Sequence, residues 1–150
     1  MVPNYFISAI SHDNFNINKR HNFSMMGFIS NRKKYVDKNI KVGDKLIFYI
    51  IKEKKFGAIV EVLGESYYDD YTPIWVGARE IWPLRIKTRP LLVPRNNGCL
   101  SLDEVRDELS FIITKNIGLY FRNPVRKIEK GDYELIRSKM IRTSYYEIVR

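Results

Sequence analysis

Asp69 and Asp70 form the best carboxylate pair in the chain. Carboxylates of this kind can hold a divalent cation for attack on a phosphodiester. Adjacent carboxylates in a strand or loop diverge, however, and no neighbouring side chain completes a metal site. The histidines, His12 and His21, are not spaced as ligands on one helix face. Cys99 follows Asn96-Asn97-Gly98, and no base stands near it in sequence to activate a thiolate. Neither GxGxxG nor GxxxxGK[ST] occurs, so no standard dinucleotide or P-loop site is expected. These residues support no catalysis, no metal and no other cofactor.

Basic charge combined with aromatic side chains offers a different chemistry. Lys plus Arg number 26 against 17 Asp plus Glu, a formal charge of +9. The excess sits in residues 1–60 and 111–150, while residues 61–110 are slightly acidic. A field of that sign attracts polyanions and favours nucleic acid over acidic small molecules. Arg32-Lys33-Lys34-Tyr35 is a basic stretch with one aromatic. Tyr67, Tyr68, Tyr71 and Trp75 cluster in a polar segment that also holds Pro73. Base stacking needs such rings, and phosphate contact needs such cations.

The elements that must position these groups follow from periodicity. One hundred and fifty residues with 45% hydrophobic content fit one domain with a real core. The longest apolar stretch, Leu46 to Ile51, is a strand's length and far short of a membrane span. The chain starts with no basic leader, and a single cysteine allows no intramolecular disulfide. A soluble, cytoplasmic domain with no membrane partner is therefore expected. Tyr5 to Ile10 reads as a buried strand, and Ser11 as the N-cap of a helix over 13–19. Residues 20–28 lack a period and are expected to be an apolar loop. Val42-Gly43-Asp44 is a turn signal. Strands over 45–51 and 56–63 form a hairpin through Lys52-Glu53-Lys54-Lys55. A further strand runs over 81–89, closed by Pro90. Ser101-Leu102-Asp103-Glu104 is a capping box opening a short helix to Leu109. A last helix starts near Lys130 to Asp132, with Tyr133, Ile136, Met140, Ile141 and Tyr145 as its apolar stripe. The fold class is α+β, a small bent sheet or barrel flanked by helices.

The order Tyr5-Phe6-Ile7, Lys19-Arg20-His21-Asn22, Gly27, Val42-Gly43-Asp44-Lys45, Phe48-Tyr49 and Gly57-Ala58-Ile59-Val60-Glu61-Val62 resembles the EVE domain. More narrowly, it is similar to the uncharacterised single-domain EVE proteins of archaea. The resemblance runs from about Tyr5 to Ile136, and order and spacing carry it. It implies a PUA-like fold, a small bent β-barrel flanked by short helices and a C-terminal helix, related to YTH domains. It also implies a binding module, not an enzyme, in which an aromatic pocket takes up one extruded, modified base.

Carried over residue by residue, the resemblance places Ser8, Ala9 and Ile10 beside the base. Asn22 matches an asparagine that follows a helix and a basic pair. Met26 stands before the small Gly27, where relatives carry a Trp. Tyr49 and Trp75 match other wall positions, and Trp82 is assigned a structural role. The implied pocket is Met26, Phe28, Tyr49 and Trp75 as walls, with Ser8 and Asn22 as hydrogen-bonding groups. Arg20, Arg32, Lys33 and Lys34 are the expected phosphate contacts. The expected partner is DNA or RNA carrying a modified base. A shape-recognising RNA-binding PUA-like domain is one alternative. A metal-dependent nucleic-acid enzyme using Asp69 and Asp70 is another.

Overall fold

Strand β1 (Tyr5–Ile10) alternates its side chains between two buried layers, which explains why it is apolar apart from Ser8. In the computed structural model, which describes residues 2–95, 98–111, 120 and 124–150, β1 lies second from one edge of a curled mixed sheet. It runs parallel to β3 (Lys45–Ile50), Tyr5 opposite Lys45 and Ile10 opposite Ile50. A parallel pair needs a crossover, and residues 11–44 supply it. Helix α1 (His12–Arg20) begins at Ser11, whose hydroxyl accepts the Asn14 amide at 3.2 Å. Strand β2 (Met25–Phe28), a 3-10 turn at Ser30–Arg32 and helix α2 (Lys33–Asn39) complete it.

The expected hairpin is present: β3 returns antiparallel as β4 (Lys55–Val62). A two-residue strand, β5 (Tyr67–Tyr68), pairs with β6 (Leu84–Pro94), the longest strand of the sheet. The first part of β6 pairs with β2, and the rest with β4. This shared strand curls the sheet into a half-barrel. The short β7 (Leu100–Ser101) pairs with β4, β8 (Val125–Ile128) with β1, and β9 (Tyr146–Ile148) with the end of β6. Helix α3 (Lys130–Arg142) packs beside β1. Asn96 and Asn97 lie outside the described residues.

Several local expectations change in the fold. The expected loop before Phe28 contains β2, because Met26 and Phe28 alternate into the core opposite Ile86 and Leu84. Pro90 does not close β6. It sits where the β4–β6 register shifts between Ile59 and Val60, and an irregular ladder tolerates the missing N–H. The capping box forms as expected but opens two 3-10 turns, Leu102–Glu104 and Arg106–Glu108, instead of a helix. In α3, Tyr133, Ile136 and Met140 are buried, whereas Ile141 is partly exposed and Tyr145 lies beyond the helix end. The strands β8 and β9 were too short to register as periodic patterns.

Each sheet face carries its own core. On one, Tyr5, Ile7, Tyr49 and Phe56 meet Tyr133, Ile136 and Met140 of α3. On the other, Phe6, Phe48, Ala58 and Val60 meet Phe15 of α1 and Met26 and Phe28 of β2.

Candidate functional site

The second face is incompletely filled. Between the N-terminal part of α1, β2 and the loop before β6 lies a cavity of about 270 Å3, room for one planar heterocycle. Its aromatic walls are Trp75, Trp82, Phe28 and Phe48, with Met26 beside them. Ser8, Ala9 and Ile10 from the end of β1 contribute another side. Gly27 on β2 and Gly77 in the loop also line it.

Trp75 is built into this wall by three contacts. Its indole N–H donates to Asn18 Oδ1 at 2.6 Å. Its ring covers Gly27 so closely that a Cβ there would lie 2.4 Å from a ring carbon. The Arg85 guanidinium stands 5.3 Å from the ring centroid, a cation–π distance. The next residue is fixed as well. Asn14 Nδ2 donates to the Val76 carbonyl at 2.8 Å, and the Val76 amide donates to Asn14 Oδ1 at 2.9 Å. Asn14 and Asn18 are one helical turn apart on α1, so a single helix face grips the loop. At the other end of the loop, Ser30 donates to Glu80 through both its amide and its hydroxyl.

Arg85 anchors the rest of the loop. It is 1% exposed, and a buried guanidinium needs partners for its donors. One lies at 3.0 Å, Asp69 Oδ2; others are the carbonyls of Thr72, Ile81 and Trp82. The amides of Tyr71 and Thr72 donate to Asp69 and are the main reason its carboxyl is held below the usual carboxylate range. Asp69 is therefore committed to turn and loop structure. Among the described residues, no group of three His, Cys, Asp or Glu could hold a metal.

The sequence-derived site residues divide between two places. Ser8, Met26, Phe28 and Trp75 come together at the cavity. Tyr49 does not: it belongs to the opposite core, 5.5 Å from the Phe56 ring, and burial pushes its hydroxyl up to about 12. Its neighbour Phe48 lines the cavity instead, because side chains alternate along a strand. Asn22 also lies away from the cavity. It is exposed in the turn after α1 with φ +57, a conformation Asn tolerates, and the turn carries Phe23 into the core. Arg20 is exposed at the end of α1, and Lys33 and Lys34 are exposed at the start of α2. Arg32 is half-buried in the turn that follows the cavity residue Ile29, and Lys33 pairs with Asp37. Cys99 is partly buried, and burial pushes its thiol up, away from nucleophilic use.

Sequence reasoning missed Asn14, Asn18 and Trp82. The asparagines carried a readable signal, since poor helix formers on the buried side of a short helix usually bond something specific. Trp82, assigned a structural role, instead lines the cavity. It adopts φ +59 ahead of Pro83, and no periodic pattern announces that conformation.

Comparison with known proteins is consistent with this geometry. The sequence model of the EVE domain matches residues 4–139. The chain is 30% identical over 146 residues to a UPF0310 protein of Pyrococcus abyssi, covering 89% of this chain and 97% of the relative. A UPF0310 protein of Pyrococcus horikoshii is 27% identical over 151 residues, covering 91% and 99%. Among solved structures, the YTH domain of the Zygosaccharomyces rouxii MRB1 protein in complex with N6-methyladenosine RNA superposes with a TM-score of 0.65. The two share 14% identity, over 92% of this chain and 86% of that one.

Proposed function

The chain belongs to the EVE domain family, and on that premise we propose that it binds nucleic acid and takes one modified base into the cavity beside Trp75. The observation that carries this reading is the cavity itself: a space the size of one heterocycle, walled by two indoles and held open by a fixed loop. Stacking on such rings is worth roughly 1–3 kcal/mol per base, enough to offset much of the cost of unstacking it. A methyl substituent adds apolar area that Met26 and Phe28 are placed to cover. The solved relative in complex with N6-methyladenosine RNA supports this class of ligand. Ser8 supplies a polar group at the cavity. Arg20, Arg32, Lys33 and Lys34 hold the flanking phosphates, Arg32 to Lys34 lying in the turn and helix that follow the cavity residue Ile29.

This reading makes the protein a binding module. The test uses two pairs of short single strands. One is an RNA pair differing by a single N6-methyl group, the other a DNA pair differing by a single 5-methyl on cytosine. Titration should show tighter binding to the modified member of at least one pair. Equal affinity within both pairs would favour shape-recognising RNA binding, and no binding to any strand would remove the nucleic-acid reading altogether. Joint replacement of Arg32, Lys33 and Lys34 by Ala should flatten the plot of log affinity against log salt by about two units, with the base preference kept.

A further inference from the structure

The two indoles of the cavity are in opposite hydrogen-bonding states. The Trp75 N–H is satisfied by Asn18, so Trp75 can offer a ligand only its ring. The Trp82 Nε1 is buried and has no hydrogen-bond partner among the described residues, although Trp82 lines the same cavity. A buried N–H left unpaired is uncommon and costly, so native structures tend to give it a partner. Trp82 adopts φ +59, and its carbonyl accepts a hydrogen bond from Arg85 Nε at 3.3 Å. The donor thus has no acceptor among the described residues.

We infer that Trp82 is the specificity-determining donor of the site. Its indole N–H bonds an acceptor on the edge of the bound base, a ring nitrogen or carbonyl oxygen, while Trp75 stacks on the face. This rests on the base-binding reading above and adds to it a polar requirement. The ligand must present an acceptor toward Trp82, and a purely apolar ring of the same size is refused. The division of labour follows from chemistry, because a donor left unpaired by a wrong ligand penalises it more than a missing contact does.

The protein contains Trp75 and Trp82 as its only tryptophans, so its two indole N–H resonances can be followed separately by proton–nitrogen NMR, with Trp82→Phe providing the assignment. The probes are the two oligonucleotide pairs named above. On saturation with a preferred strand, the Trp82 resonance should move downfield as its proton becomes bonded. The Trp75 resonance should keep its bonded position apart from ring-current shifts. Trp82→Phe retains a ring face but removes the donor, and should weaken binding of that strand roughly tenfold. A Trp82 resonance that does not move while the strand saturates the site overturns this inference alone, since a resident water or another group then satisfies the donor. Unchanged affinity in Trp82→Phe does the same. Failure of every strand to bind overturns the base-binding reading, and this inference with it. The resonance measurement needs only the unaltered protein, so it stands even if Trp82→Phe does not fold.

Discussion

The two faces of the central sheet are built from the same strands and end differently. Beneath α3, the Tyr5 and Tyr133 rings pack 4.4 Å apart at a tilt of 35°, and Tyr49 packs against Phe56 at a tilt of 58°. The Tyr146 hydroxyl there donates to the Phe56 carbonyl and accepts the Leu100 amide at 2.6 Å. Rings fill that face, and its interior hydrogen bonds serve the fold. Beneath α1 and β2, Phe15, Phe23 and Phe48 also pack together, their centroids 5.4 to 6.4 Å apart, but Trp75 and Trp82 line a cavity, and the interior hydrogen bonds of Asn14 and Asn18 hold a loop. The difference teaches where ring faces remain uncovered: a packed core has none, whereas the other face leaves two indoles lining a cavity, where the proposed ligand would sit.

The sharpest way to break this comparison is to truncate one ring on each face. Phe56→Ala on the filled face should cost about 3–5 kcal/mol of stability, read from the denaturant midpoint, with base preference retained in the folded fraction. Trp75→Ala should lower both. Its ring is packed on Gly27 and bonded to Asn18, so stability falls as well, contrary to the small change expected of a ring that merely lines an open pocket. Affinity for a preferred modified strand should fall about tenfold or more, and affinity for its unmodified partner much less. If Phe56→Ala abolished discrimination while Trp75→Ala preserved it, the roles given to the two faces would be reversed.

A smaller perturbation adds one methyl group. Gly27→Ala would place a Cβ against the Trp75 ring, at 2.4 Å unless the indole shifts. The expected cost is about 1–3 kcal/mol, with altered Trp fluorescence and weaker binding. The control is Gly64→Ala, where no atom lies within 4 Å and φ is not left-handed, so neither property should move. Identical behaviour of the two variants would show that the Trp75–Gly27 contact does not set the cavity wall.

The smallest expected effects separate the faces by pH. Burial pushes Tyr49 and Tyr133, both on the filled face, up to about 12. A tyrosine whose folded pKa is raised contributes stability that is fully present below its unfolded value near 10. That contribution is lost as pH rises from about 10 to about 12. Alkali should therefore lower the thermal midpoint by loosening the α3 side. Asp69 has the opposite sign. Its carboxyl is depressed, so its contribution is present above the ordinary carboxylate value and is lost as pH falls through the lowered one. Acid should therefore release the loop carrying the tryptophans, seen as a change in their fluorescence. Replacing Asp69 by Asn should remove the acid transition and leave the alkaline one. If the replacement left the acid transition unchanged, Asp69 would not be the group that holds the loop.

Much of the fold was legible because it is local. Ser11 caps a helix, Gly43 sits at φ +91 in the expected turn, and the β3–β4 hairpin is where two runs rich in Ile, Val, Phe and Tyr, joined by a charged turn, placed it. The elements that escaped are those whose existence depends on a distant partner. The strand β2 forms because β6 is there to receive Met26 and Phe28, and β9 because the end of β6 is free to pair. Of the proposed pocket, Ser8, Met26, Phe28 and Trp75 were reachable through resemblance. Tyr49 was misplaced by one residue, which on a strand means the opposite face. Asn22 was misplaced because a residue that follows a helix can serve the turn as readily as a site.

By itself, the sequence determined the charge of the molecule, its mixed strand-and-helix makeup, the positions of its local turns and caps, and its membership of the EVE family. These depend on residue type and near neighbours, which a linear reading contains. Only the tertiary structure decided which rings share a cavity, that Asn14 and Asn18 hold the loop, and that Arg85 is buried under it. It also decided that one indole N–H is satisfied while the other finds no partner among the described residues. The reason is geometric. Asn18 meets Trp75 across 57 positions of chain and Arg85 meets Asp69 across 16, and no local preference encodes such meetings until the half-barrel closes and brings them within hydrogen-bonding distance.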